Sequence, residues 1–258
     1  MYTLLHIDSS ARLGPSSEQP HGSHSRRLSA RFVRRWLAER PKDNIIRRDV
    51  ATIPPSPVTE RWVHAAFTPP ARREAWMHTT LAESDTLIDE LLAADLVVIG
   101  APMYNFGMPS TLKAWIDNIV RVGRTFGFDR DRAGEPYWPM LAGQGKRVVL
   151  LGSRGDHGYD PGGPLATSNH VEAGVMTPLR YIGIDVADRI AIEYDEFRDE
   201  RLLASITAAE AETDALVARL ASAVKAVRGF PSAAHGAARS TVGTMAAMDP
   251  RPPHAQAE

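Results

Sequence analysis

Residues 96 to 126, LVVIGAPMYNFGMPSTLKAWIDNIVRVGRTF, restrict the fold more than any other stretch. Leu96 to Ile99 is an uninterrupted apolar run, short enough for a strand and apolar enough for one covered on both faces. It passes directly into Pro102-Met103-Tyr104-Asn105-Phe106-Gly107, a loop rich in large apolar and aromatic groups. Leu112, Trp115, Ile116, Ile119 and Val120 then recur at helical spacing. Ser110 is a candidate cap, and Gly123 stands where a left-handed helix stop is expected. A doubly covered strand followed by a helix is the unit of a parallel sheet flanked by helices. In such sheets ligands bind in the crevice beyond the carboxyl ends of the strands. A loop of aromatics, an amide and exposed backbone suits a flat, ring-shaped ligand there. Packing of Tyr104 and Phe106 between strand and helix accounts for the same residues, and both readings stand at this point.

The rest of the chain repeats the alternation. Tyr2 to Ile7 reads as a buried strand ending at Asp8-Ser9-Ser10, followed by a polar connection and a helix opening at Ser23-His24-Ser25. That helix carries Leu28, Phe32 and Trp36 on one side and Arg27, Arg31, Arg34 and Arg35 away from it, the pattern of a solvated face. Asn44 to Val50, interrupted by Arg47 and Arg48, reads as an edge strand. The proline-rich stretch 51–70 is expected to be irregular, with Trp62 and Phe67 tucked against the body or a second subunit. A helix over 72–93 leads to the central strand, and 127–145 reads as a loop. Strand over 146–151, helix over 166–182, strand over 184–194 and a long helix over 199–227 complete the pattern. Five strands alternating with helices predict a doubly wound parallel sheet of order 2-1-3-4-5. The loops after residues 8, 101 and 152 then follow neighbouring strands and converge on one crevice. One domain is expected over 1–228, with a disordered tail over 229–258.

The totals exclude several classes. The 258 residues carry a formal net charge of -1, which gives no global attraction to nucleic acid or an anionic membrane. The absence of Cys rules out disulfides, thiolate catalysis, Cys-held zinc and iron–sulfur clusters, and it suits a reducing, cytoplasmic location. No apolar run approaches the ~20 residues of a membrane span, and no signal peptide is expected. His64, His78, His157 and His170 lack the spacing of metal ligands, so no metal is expected.

The three loops offer distinct chemistry. Ser9, Ser10, Ser23 and Ser25 surround a strand-to-helix turn, where unsatisfied amides and the helix dipole favour an anion. An ordinary helix cap is the plainer reading of Ser25, but four serines together favour a phosphate. No glycine fingerprint for a pyrophosphate is present, because Gly143-Gln144-Gly145 precedes a strand instead of following one. Ser153-Arg154-Gly155-Asp156 lets backbone approach a ring edge, with Arg154 able to offset electron density on a reduced ring. Gly152-Ser153-Arg154-Gly155 lacks the spacing of a hydrolase nucleophile elbow.

With these residues in view, the chain resembles the FMN-dependent NADH-azoreductases, a branch of the flavodoxin-like NAD(P)H:quinone oxidoreductases. The resemblance rests on Ser9-Ser10, Ser23-His24-Ser25, Arg48-Asp49-Val50, Ala101 to Phe106 with Leu112-Lys113, Thr125-Phe126, Ser153-Arg154-Gly155 and Tyr181 to Ile184. It spans residues 1 to 225. Three features depart from the family pattern: the long loop between Ser10 and Ser23, Asp156 in place of a second glycine, and the C-terminal tail. The resemblance implies a flavodoxin-like fold with non-covalent FMN. Its phosphate would lie at Ser10 and Ser23 to Ser25, its ring against Met103, Tyr104, Asn105 and Phe106, and its other edge along Ser153 to Asp156. No side chain need act as nucleophile or base, since the flavin carries the chemistry. NADH or NADPH would reduce the flavin and leave before a quinone or azo compound binds, in ping-pong order, within a homodimer. Alternatives are an NAD(P)H-dependent FMN reductase and a flavodoxin-type electron carrier.

Overall fold

The computed structural model describes residues 1–229, so the tail expected from residue 229 lies outside the described residues from 230 onward. In chain order the elements are β1 (Thr3–Asp8), α1 (His24–Glu39), β2 (Asn44–Asp49), α2 (Glu60–Phe67), α3 (Ala75–Ala93), β3 (Leu96–Pro102) and α4 (Ser110–Ile119). There follow β4 (Phe126–Phe128), β5 (Tyr137–Pro139), β6 (Arg147–Ser153), α5 (Val171–Tyr181), β7 (Asp185–Ile192) and α6 (Glu200–Gly229). The main sheet has the order β2-β1-β3-β6-β7, all parallel, which is 2-1-3-4-5 once the separate β4–β5 hairpin is set aside. The fold is flavodoxin-like, and β2 is at an edge as its broken apolar pattern predicts.

Alternation along each strand builds two cores. Leu5, Ile7, Val97, Ile99, Val148 and Leu150 face α3, α4 and α5, where Ile88, Trp115 and Val175 meet them. Leu4, Leu96, Val98, Val149 and Leu151 face α1 and α6, against Phe32, Trp36, Leu216 and Leu220. The central strand β3 is buried along its whole length, because both its faces are covered. Among the described residues no helix is long and apolar enough to cross a membrane.

The arginine face of α1 is not simply solvated. Arg27 donates to Glu210, and Arg31 and Arg35 converge on Asp214, both acids lying on α6. Hydrogen bonds from Arg35 and Arg31 hold the Asp214 carboxyl far below the usual range, outweighing the burial that would raise it. Arg34 is exposed, as expected of a solvated position. Position along the chain gave no hint of the pairing, since the partners are about 180 residues apart.

Four local expectations need correction. The segment 51–70 is not wholly irregular, because α2 forms between its proline clusters, with Thr59 accepting from the Trp62 amide as N-cap. Trp62 is buried against Met77 and Leu81, whereas Phe67 is exposed. The segment 127–145 is not all loop, since β4 pairs antiparallel with β5. Trp138 lies so close over Gly127 that a Cβ there would stand 1.9 Å from its ring, so only glycine allows the pairing. In α4, Ser110 makes no capping bond and the helix stops at Ile119. Gly123, at φ +74°, instead turns the following segment, its amide donating to the Phe126 carbonyl.

Candidate functional site

The carboxyl ends of β1, β3, β6 and β7 open on one cleft of about 320 Å³. It is lined by Ser10, Arg12, Ser23, His24, Pro102, Met103, Tyr104, Asn105, Ser153, Arg154, Gly155, Asp195 and Glu196.

The first wall is the β1–α1 connection. The Ser9 amide and hydroxyl both donate to the Gly100 carbonyl, at 3.1 and 2.8 Å, which fixes the loop to β3. Gly100 has to be glycine, since a Cβ would meet Asp8 Oδ1 at 2.8 Å. The long loop then returns as a compact excursion, the Ser23 amide donating to Gly14 O at 2.9 Å. Ser23, not Ser25, is the N-cap of α1, its hydroxyl accepting from the Arg26 amide at 3.2 Å. The first-turn amides of a 16-residue helix therefore face the cleft end where Ser10 and His24 stand.

The second wall follows β3. Tyr104 and Gly107 exchange backbone hydrogen bonds of 2.8 and 3.0 Å, closing a two-residue turn. Its central residues, Asn105 at φ 47° and Phe106 at φ 68°, are both left-handed. Asparagine tolerates that region, but for Phe it is strained, of order 1–3 kcal/mol. The turn is anchored on both sides, by the Met103 amide on Ser153 O (2.8 Å) and the His170 amide on Phe106 O (2.9 Å). Across the cleft the Tyr104 hydroxyl accepts from the Ala11 amide at 3.1 Å, joining the first two walls.

The third wall combines Ser153 to Gly155 with the loop after β7. Glu196 lies over Gly155 closely enough that a Cβ would meet its carboxylate at 2.4 Å. Asp195 bridges to the first wall, 3.0 Å from Arg12 Nη1 and 3.2 Å from His24 Nε2, while His24 Nδ1 is hydrogen-bonded with the Ser16 hydroxyl at 2.8 Å. The His24 hydrogen bond, aided by Arg12, holds Asp195 below the usual carboxylate range against the burial that would raise it. This end of the cleft thus gathers hydroxyls, a helix N-terminus, an arginine and a histidine around one carboxylate. The β3 side of the cleft presents the larger side chains of Pro102, Met103 and Tyr104.

Most of the sequence-predicted residues meet in the cleft: Ser10, Ser23, His24, Met103, Tyr104, Asn105, Ser153, Arg154 and Gly155. Three do not line it. Ser25 is fully buried beneath Ser23, with its hydroxyl 3.0 Å from that of Ser23. Phe106 is exposed on the outside of its turn. The Asp156 carboxylate is engaged by His157 Nδ1 at 2.8 Å. The expected charge role of Arg154 is also corrected. Its buried guanidinium donates to Glu193 (2.9 Å), Asp160 (3.0 Å) and Glu172, so its charge is already balanced. Burial would lower its pKa, and these carboxylates overturn that and raise it. Arg12, Asp195 and Glu196 were not singled out from the sequence, and Pro102 was named only as part of its loop. The rule that ligands lie beyond strand ends would have found Asp195 and Glu196, which directly follow the fifth strand.

A family model described as flavodoxin-like fold matches residues 3–223. The chain is 42% identical over 220 residues to the FMN-dependent NADH:quinone oxidoreductase 2 of Idiomarina loihiensis, covering 85% of this chain and 91% of that one. It is 44% identical over 182 residues to the FMN-dependent NAD(P)H:quinone oxidoreductase 1 of Pseudomonas aeruginosa, with 70% and 85% covered. Among solved structures, an FMN-dependent NADH-azoreductase from Bacillus anthracis in complex with FMN superposes with a TM-score of 0.73 at 17% identity, over 86% of this chain and 100% of that one. At that identity the superposition speaks for the fold alone.

Proposed function

The chain belongs to the flavodoxin-like family, among the FMN-dependent NADH:quinone oxidoreductases, and from that membership we propose that it is an FMN-dependent NAD(P)H:quinone oxidoreductase. The observation that carries the reading is the 42% identity with a relative of that name over 85% of the chain, together with a cleft whose lining combines hydroxyls and a helix N-terminus with Met103 and Tyr104. The donor set fits the cofactor. Ser10 and Ser23 supply hydroxyls beside the α1 N-terminus for a phosphate, with Arg12 and His24, both held by Asp195, alongside them. Met103, Tyr104 and Asn105 form the wall for a planar ring, and the small residues Ser153 and Gly155 admit its edge. Ser25 acts through Ser23, and Phe106, outside the cleft beside Asn105, offers an exposed aromatic face to an incoming acceptor. Bound FMN would supply two-electron chemistry, taking a hydride from NAD(P)H and returning it to the acceptor. The protein's part is to hold the ring and leave one face open to one planar reactant at a time. Quinones fit that demand. Azo compounds, also planar and conjugated, fit it too, and the sequence resemblance supports them. The Cys-free composition supports a reducing, cytoplasmic setting.

The test is spectroscopic and kinetic. NADH added without oxygen should bleach the yellow absorbance of the FMN-loaded protein, and a quinone should restore it with no further NADH. Initial rates against NADH at several fixed quinone concentrations should give parallel double-reciprocal lines. Intersecting lines would mean both reactants bind together and would overturn the single-place reading. A bound flavin that NADH cannot bleach would favour the electron-carrier role. Flavin lost on desalting and turned over as a free substrate would favour the FMN reductase.

A homodimer is part of the proposal. Phe128, Tyr137 and Tyr181 are each more than two-fifths exposed, yet they form one aromatic cluster with Phe126, at centroid distances of 4.7 Å (Phe128–Tyr137) and 5.1 Å (Phe126–Tyr181). A contiguous aromatic surface of this kind is what a second copy covers. Light scattering at micromolar concentration should return twice the chain mass. A monomer with full activity would refute the dimer.

A further inference from the structure

One buried cluster beneath the cleft is not explained by contact with any ligand. Arg26, 7% exposed, donates through Nη1 and Nη2 to both carboxylate oxygens of Asp49, at 2.7 and 2.9 Å. The same guanidinium donates through Nε and Nη2 to the carbonyl of Ser10, at 3.3 and 2.8 Å. Asp49 in turn accepts from the amides of Ala51 and Thr52, both at 3.1 Å. Burial alone would raise Asp49, and the hydrogen bonds from Arg26 and Thr52 hold it below the usual carboxylate range instead. Asp8 stands 3.6 Å from Nη1, so one guanidinium faces two carboxylates. The cluster has no surplus positive charge with which to attract a phosphate.

What the pair does is geometric. A trans peptide points its carbonyl and its N–H in opposite directions. With the Ser10 carbonyl drawn inward to Arg26, the Ala11 N–H is turned outward to the cleft, where the Tyr104 hydroxyl accepts it. Ser10 itself is 1% exposed, and its hydroxyl accepts from the Arg12 amide at 3.3 Å, so the Ser10 side chain also sets the start of the loop that brings Arg12 to the cleft. Only a planar fork with several donors spans a carboxylate and a carbonyl in this way. We propose that the Arg26–Asp49 pair is a positioning element for the cofactor phosphate: it fixes the orientation of the Ser10–Ala11 peptide and thereby the donors offered at that end of the cleft. The inference rests on the FMN reading above. It gives Asp49, part of the Arg48-Asp49-Val50 stretch noted in the sequence, a role at a site it does not touch.

The test compares FMN with riboflavin, which lacks the phosphate. Both are titrated against flavin-free wild-type protein, Arg26→Lys and Asp49→Asn, with the unfolding midpoint measured on the same samples. Arg26→Lys keeps the charge between Asp8 and Asp49 but loses the fork. It should weaken FMN binding about 10- to 100-fold while leaving riboflavin binding nearly unchanged. Asp49→Asn, which keeps one acceptor for Arg26, should show a smaller loss with the same selectivity. FMN affinity unchanged in both variants would overturn the proposal. Equal weakening of FMN and riboflavin would overturn it too, since that marks a general structural role. A wild-type protein that binds neither flavin would overturn the cofactor reading itself, a result distinct from both.

Discussion

Flavin-free protein is expected to lose NADH-dependent quinone reduction entirely and to regain it on addition of FMN. The cleft residues explain why the loss should be complete. Ser10, Ser23, His24, Tyr104 and Ser153 offer hydrogen-bond donors and planar contact, but none of them is an electron acceptor. The absence of Cys removes the one side chain that could take part in two-electron redox chemistry through a disulfide. The chemistry therefore has to come from the cofactor, and the protein alone has no route by which a slower version could proceed. Flavin is removed by acid ammonium sulfate, and activity is followed as FMN is added back. Recovery should saturate at about one FMN per chain, as expected for one such cleft in each chain. Residual turnover in protein shown to be free of flavin would mean that another redox group is present.

The largest stability loss from a single substitution is expected at Trp115. Its side chain is fully buried between α4 and the sheet, among Leu112, Ile116 and the inward residues of β3 and β6. Trp115→Ala leaves a cavity that close-packed neighbours cannot collapse to fill, at a cost of about 3–5 kcal/mol. That is a large part of the roughly 5–15 kcal/mol by which a domain is stable. The contrast with Trp115→Phe makes the prediction specific. The indole Nε1 is buried and, among the described residues, has no hydrogen-bond partner, so the phenyl ring removes an unsatisfied donor along with some volume. The Phe variant should therefore lose much less than the Ala variant. Urea unfolding of flavin-free protein measures both. Equal losses would mean that the indole itself, not the volume it fills, sets the cost, and no loss in either would mean that α4 contributes little to the core. Because α4 begins directly after the Met103–Gly107 turn, Trp115→Ala should also loosen the planar wall of the cleft.

The sheet was legible because its evidence is local. Leu96 to Ile99 announces a strand covered on both faces, and alternation at Leu4-Leu5 and at Val148 to Leu151 matches the two cores residue for residue. The cleft was legible where it follows strand ends in short loops, as at Ser10, Met103 to Asn105 and Ser153 to Gly155. What escaped depends on side-chain direction or on distant partners. Asp156 adjoins Gly155 in sequence, yet its carboxylate turns to His157. Phe106 adjoins Asn105, yet it lies on the outside of a left-handed turn. Arg154 faces three carboxylates drawn from separate segments, and Arg31 meets Asp214 from the far end of the chain. No pattern of spacing encodes such meetings. The helix α2 was missed because eight residues between proline clusters are too few to show a clear helical period.

A lineage drifting under selection for heat resistance alone would be drawn to replace Phe106 with glycine, which occupies its left-handed backbone at no steric cost. Such a change would gain robustness and remove an exposed aromatic face from beside the cleft. With the acceptor contact proposed for that face, thermal hardening and acceptor range are set in opposition at one residue. Ancestral or consensus reconstructions of this chain should accordingly be judged by turnover as well as by melting temperature, because the most durable version and the most capable one need not share a residue there.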